Sequence, residues 1–132
     1  MLPGYALISQ GIQIHVASWP FPAALETAGG LLLTQALAFQ GCCYAIEVVG
    51  IMIPKNVLEQ YRDLNVEFLA KSTMGSCIIG PNASVLAETT AEDGAIIIAQ
   101  GSLEAIRKSK TRRDIAGHYS RPEVLQLVVD RG

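Results

Sequence analysis

The chain has 132 residues, half of them apolar, a formal net charge of −2 and a mean hydropathy of +0.32. That length fits one domain of ordinary size. Nothing in the slightly acidic balance draws the chain toward nucleic acid or an anionic membrane surface, and no apolar run approaches the roughly 20 residues that cross a bilayer.

The longest apolar stretch, 31–33 with its neighbours, is interrupted by Gly29, Gly30, Thr34 and Gln35. No basic segment precedes an apolar one, so no signal peptide is expected. An apolar surplus without a membrane span implies surfaces covered by something else, either a partner subunit or a further piece of chain.

Residues 5–10 read as the end of a helix stopped by Gly11. Residues 12–18 alternate, with Ile12, Ile14 and Val16 on one face and Gln13, His15 and Ala17 on the other, which is the period of a strand. Pro20 and Pro22 end it, because proline has no N–H to give a ladder. Trp19, the only tryptophan, stands at that end, as either the lip of a pocket or a plug in the core. Residues 23–40 are compatible with helix, with Gly29 and Gly30 as a weak point, and Gly41 fits a C-terminal cap. Residues 43–49 are nearly all apolar and read as a buried strand ended by Gly50. Glu47 is the odd residue there. A lone buried carboxylate is costly unless paired, so Glu47 is expected at a sheet edge or facing a space that further chain would fill.

Residues 55–71 place Val57, Leu58, Tyr61, Leu64, Phe68 and Leu69 at helical spacing, although Asn65 and Val66 weaken the helix. Three short strands follow at 76–80, 84–88 and 95–99. Pro81 and Asn82 make a hairpin turn between the first two, and Glu92, Asp93 and Gly94 turn the chain into the third. Ser102 is an N-cap for a helix over 103–112. The cations Arg107, Lys108, Lys110, Arg112 and Arg113 suit the negative end of that helix's dipole. A nucleic-acid patch is the sharper reading of the run, but no aromatic residues are interleaved with it and the chain is acidic overall. Residues 122–129 read as a terminal strand. Strands alternating with helices and then a hairpin predict an α/β fold with a mixed sheet, and residue patterning alone goes no further.

The three cysteines, Cys42, Cys43 and Cys77, are an odd set, and adjacent Cys42 and Cys43 would point to opposite faces of a strand. No CxxC spacing exists and His15 and His118 are the only histidines, so no metal site and no cofactor are expected. Reduced thiols in a cytoplasmic protein are the simplest reading.

Four strings say more. "YALISQGIQIHVASWP", "ALAFQGCCYAIEVVG", "GSCIIGPNASVLAET" and "GHYSRPEVLQL" occur in the order in which similar strings occur in nitrilases. Over nearly its whole length the chain resembles the C-terminal part of a nitrilase, of the carbon–nitrogen hydrolase superfamily. "IIGPNASVLAE" resembles a hairpin found across the superfamily, whereas "IHVASWP" and "GHYSRP" are more particular to nitrilases. On this resemblance residues 1–132 are the C-terminal portion of a carbon–nitrogen hydrolase domain and belong to a four-layer αββα sandwich, assembled as dimers and often as larger spirals. The implied chemistry is hydrolysis of a nitrile to a carboxylic acid and ammonia. A Cys thiolate attacks the nitrile carbon, Glu acts as general base, and Lys stabilises developing charge.

In that family the Glu and Lys lie upstream, and a Cys-Trp-Glu motif carrying the nucleophile comes just before the first matching string. This chain opens at Met1, Leu2, Pro3 and Gly4 and holds no such motif. The expectation is a fragment or truncated gene product with no catalytic residue of its own. Cys43 falls at a buried strand position of the family, where apolar surroundings would leave the thiol inert. Cys77 reads as a small core residue. The resemblance places Ser18, Trp19 and Pro20 on the substrate pocket, with Trp19 as an aromatic wall; a place in the core or at a subunit contact is the alternative for Trp19. His15 is expected to be a hydrogen-bonded structural residue. His118 and Tyr119 fall on a family turn with an interface or structural role. The partners implied are a small-molecule nitrile in the complete protein and either further copies of the chain or nitrilase-like subunits. Two readings stand. In the first the chain is the pocket wall and scaffold of a nitrile-hydrolysing protein, and in the second it is a non-catalytic remnant or assembly module.

Overall fold

The structure is a computed structural model and describes residues 2–19, 29–50, 75–89, 96–124 and 126–129. Helix α1 (Leu2–Ser9) leads into strand β1 (Ile14–Trp19), helix α2 (Gly29–Gly41) and strand β2 (Tyr44–Val49). Strands β3 (Cys77–Ile79) and β4 (Val85–Glu88) and helix α3 (Leu103–Lys110) follow. The four strands form one sheet in chain order, with β1 parallel to β2 and the other two pairs antiparallel. The fold is therefore α/β with a mixed sheet, as the patterning predicts. α2 is the crossover that a parallel pair needs, because no short turn can join parallel strands.

Period-two alternation sets the faces. His15, Ala17 and Trp19 of β1 lie on the same side as buried Ala45, Glu47 and Val49 of β2. Cys77 and Ile79 of β3 continue that side, and Ala38 of α2 packs onto Ala45, Cys77 and Ile79 to make the core, with Leu31 against it. The other side carries Ile14, Val16, Val48 and Leu86, all exposed. One end of that side is met by residues 99–106. The Tyr44 hydroxyl accepts from the Ser102 N–H (2.8 Å) and donates to its carbonyl (3.3 Å), and a Cβ at Gly101 would lie 3.0 Å from the Tyr44 ring.

The ends of α1 and α3 follow their local signals. Gly11, at φ +76°, takes the left-handed conformation just beyond α1. Ser102 caps α3, its hydroxyl accepting from the Ala105 N–H at 3.2 Å, and the helix stops at Lys110, two residues short of expectation. α2 ends differently from the prediction. Cys42, not Gly41, adopts the left-handed conformation, at φ 49°. The Cys42 N–H bonds the Phe39 carbonyl and the Cys43 N–H bonds the Ala38 carbonyl, which together form a Schellman closure. Gly41 is small for another reason, since a Cβ there would sit 3.2 Å from both Ile8 and the Cys43 sulfur. The two cysteines thus precede β2 and do not alternate within it.

Two expected strands do not form among the described residues. Of the strand expected over 95–99, residues 96–99 alternate in exposure but have no ladder partner among the described residues, and Ile96 and Ile98 stand exposed. Within 122–129 the chain turns at 122–124 and is irregular over 126–129. A strand is defined by its neighbour's hydrogen bonds as much as by its own side chains. The expected helix over 55–71 and turn at 92–94 lie outside the described residues.

Candidate functional site

The C-terminal ends of parallel strands are where α/β sheets place their crevices. Here those ends belong to β1 and β2, at Trp19 and Val49, and the first residues of α2 run beside them. The Trp19 indole N–H donates to the Thr34 hydroxyl at 2.9 Å, and that hydroxyl donates in turn to the Gly30 carbonyl at 2.8 Å. Thr34 is buried and Trp19 is half-buried. Gly30 allows the approach, because a Cβ there would lie 3.2 Å from the indole ring and 3.1 Å from Glu47 Oε1.

Glu47 completes the cluster. It is 1% exposed, on a strand paired on both sides, so the expectation of a sheet edge fails. Its side chain lies under α2, where the Cys77 thiol donates to Oε2 at 3.4 Å. Burial pushes the Glu47 carboxyl above its ordinary value, and the Cys77 hydrogen bond opposes that shift in part. The same burial raises the Cys77 thiol to about 12, with the hydrogen bond to Glu47 and the charges of Glu47 and Glu88 adding to it. Cys43, fully buried, is raised to about 11, first by burial and then by neighbouring Cys42. Cys42 is buried as well, its thiol against the Arg113 carbonyl at 3.1 Å. An attacking thiol needs exposure and a lowered pKa, so these three environments work against nucleophilic chemistry.

Of the residues assigned to a pocket, Ser18 and Trp19 emerge on opposite faces of β1. Ser18 is exposed with Val16, and Trp19 turns toward α2. Pro20 lies outside the described residues. His15 is half-buried on the α2 side. His118 stacks on Tyr119 with ring centroids 4.5 Å apart, both exposed. Among the described residues no three His, Cys, Asp or Glu side chains gather as metal ligands, and no helix is long and apolar enough to cross a membrane. Sequence reasoning did not find Thr34 or the Glu47–Cys77 pair. A threonine inside a helix and a cysteine 30 residues from a glutamate carry no signal until the sheet register aligns Glu47 with Cys77.

Residues 4–111 match the carbon–nitrogen hydrolase family model. The chain belongs to the carbon–nitrogen hydrolase family. It is 39% identical over 131 residues to "Nitrilase 2" of an unknown prokaryotic organism, covering 99% of this chain and 40% of that protein. It is also similar to the arylacetone-specific nitrilase of Alcaligenes faecalis, at 30% identity over 99% of this chain and 39% of that protein. An aliphatic nitrilase of Rhodococcus rhodochrous is 31% identical over 98% of this chain and 36% of its own length. The chain therefore spans about two fifths of the length of the curated nitrilases it matches.

Proposed function

We propose that this chain is the C-terminal share of a nitrile-hydrolysing enzyme. It supplies scaffold and part of the pocket wall, and its own thiols take no part in bond cleavage. The observation that carries this reading is the burial of all three cysteines, with Cys43 and Cys77 raised to about 11 and about 12. Membership of the carbon–nitrogen hydrolases and the likeness to nitrilases support nitriles as the substrate class, with a carboxylic acid and ammonia as products. The nucleophilic Cys, the Glu base and the Lys are supplied by the remaining portion of such an enzyme. Trp19, at the end of β1, is the aromatic wall of the pocket, held by Thr34. The complete protein is a cytoplasmic oligomer that needs no metal or organic cofactor.

The test is ammonia release from a panel of aliphatic and aromatic nitriles. The 132-residue chain alone releases none, and turnover appears only when a polypeptide carrying the N-terminal portion of a nitrilase is supplied with it. Activity of the chain alone that disappears in Cys43→Ala or Cys77→Ala overturns the reading. A second role, as an assembly module that binds nitrilase-like subunits or further copies of itself, is favoured by the apolar residues left exposed on the sheet and on α2.

A further inference from the structure

The sequence accounts for the cationic run near the C-terminal half as a complement to a helix dipole. That account covers Arg107, Lys108 and Lys110, which lie in the last turn of α3, but Arg112 and Arg113 lie beyond the helix. They face something else. Lys108, Arg112 and Arg113 line one groove of about 720 Å³, which continues past Tyr44 to Pro81 and Asn82 of the β3–β4 turn. No carboxylate is among the described residues that line it. Three cations and no acid among the described residues of one groove is a local excess on a chain whose net charge is −2.

Arg113 is the fixed member. Its guanidinium lies 3.7 Å from the centroid of the Phe39 ring, and Nη2 donates to the Pro81 carbonyl at 2.8 Å. Nε is buried with no acceptor, and no carboxylate pairs with Arg113 among the described residues. The adjacent Asp114 carboxylate lies against Gly117 instead. A partly buried cation with no counter-charge among the described residues is costly unless an anion meets it. A guanidinium held on an aromatic face is pre-organised for a planar or tetrahedral oxyanion, with little rotamer freedom left to lose.

We propose that the groove between the β3–β4 turn and α3 binds a small oxyanion, a phosphate or a carboxylate. Arg113 is the anchor, and Lys108 and Arg112 close on the ligand from the exposed side. The site is separate from the end of β1, where Trp19 stands, and it does not depend on the assignment of nitrile hydrolysis.

Titration calorimetry on the 132-residue chain tests it with inorganic phosphate, succinate as a short dicarboxylate, and sodium chloride at matched ionic strength. Arginine Nε–H resonances are followed in parallel on 15N-labelled chain. Saturable binding of phosphate or succinate is expected, with a shift of the Arg113 Nε–H resonance that chloride does not produce. Stronger binding of phosphate identifies a phosphate site, and stronger binding of succinate a carboxylate site. The double variant Lys108→Gln, Arg112→Gln alters two exposed residues and so keeps the fold; it should weaken binding at least about tenfold with an unchanged unfolding midpoint. Absence of saturable binding beyond the chloride control overturns the proposal, as does binding that the double variant leaves unchanged.

Discussion

Glu47 carries its carboxyl into the interior with the Cys77 thiol as its hydrogen-bond donor. Its folded pKa is raised above the ordinary 4.5, so the folded chain holds this proton more tightly than the unfolded chain does. The resulting stabilisation is complete below the unfolded value and is lost as pH rises through the folded one. The slope is at most about 1.4 kcal/mol per pH unit. Glu47→Gln should abolish that decline and make the chain more stable than the parent near neutral pH. Urea unfolding across the acid-to-neutral range measures it, and parallel curves for parent and variant would show that Glu47 does not titrate there. Trp19 gives a second residue-scale prediction. Because Thr34 and α2 hold the indole, Trp19→Ala should cost about 3 kcal/mol. Trp19→Phe keeps most of the packing and loses only the Thr34 hydrogen bond, about 1 kcal/mol. In a reconstituted enzyme, altered relative rates across nitriles in Trp19→Phe mark a pocket wall, and unchanged rates mark a purely structural anchor.

At the scale of elements, Gly30 decides how closely α2 approaches the sheet. In an ordinary helix Gly30→Ala would gain about 1 kcal/mol from propensity. Here the new methyl meets the Trp19 ring at 3.2 Å and Glu47 Oε1 at 3.1 Å. Overpacking costs about 1–3 kcal/mol, so a net loss is expected, read as a lowered unfolding midpoint. The hairpin turn predicts the opposite sign for Ala83. Its φ of 66° is a conformation that a side chain resists, and Ala83→Gly removes that strain. The relief, about 1 kcal/mol or slightly more, exceeds the entropy that glycine adds to the unfolded chain, about 0.4–1 kcal/mol. A gain of a few tenths of a kcal/mol should appear in chemical denaturation. The turn itself was legible, since Pro81 and Asn82 announce it and the Ser84 hydroxyl and N–H both bond Asn82 Oδ1. The left-handed cysteine at position 42 was not legible, because a Gly beside it is the ordinary occupant of such a position.

Across the whole molecule the apolar surplus of the composition finds a location. Ile14 and Val16 on the open face of the sheet are 61% and 58% exposed, and Leu32 on the outer face of α2 is 67% exposed. Patches of this kind drive association, and β1 and β4 leave unpaired edges among the described strands. The isolated chain should self-associate as its concentration rises. Sedimentation velocity over a concentration series checks this, and a monodisperse monomer throughout would mean that these apolar residues drive no association. The paired substitution Ile14→Thr, Val16→Thr should reduce association while leaving the α2 side of the core intact.

The sequence by itself determined the α/β class, the strands β1 to β4, the hairpin turn, the Ser102 cap and the family, because each is written in local periodicity, turn chemistry or an ordered set of strings. The tertiary structure decided the rest. It denied strands to 96–99 and 122–129, which found no ladder partner among the described residues. It split Ser18 from Trp19 across the sheet, buried Glu47 on an inner strand, and gathered Lys108, Arg112 and Arg113 around one groove. Those outcomes depend on which neighbour satisfies a backbone, a carboxyl or a charge. That neighbour is set by register and crossover, which bring together residues far apart in the chain.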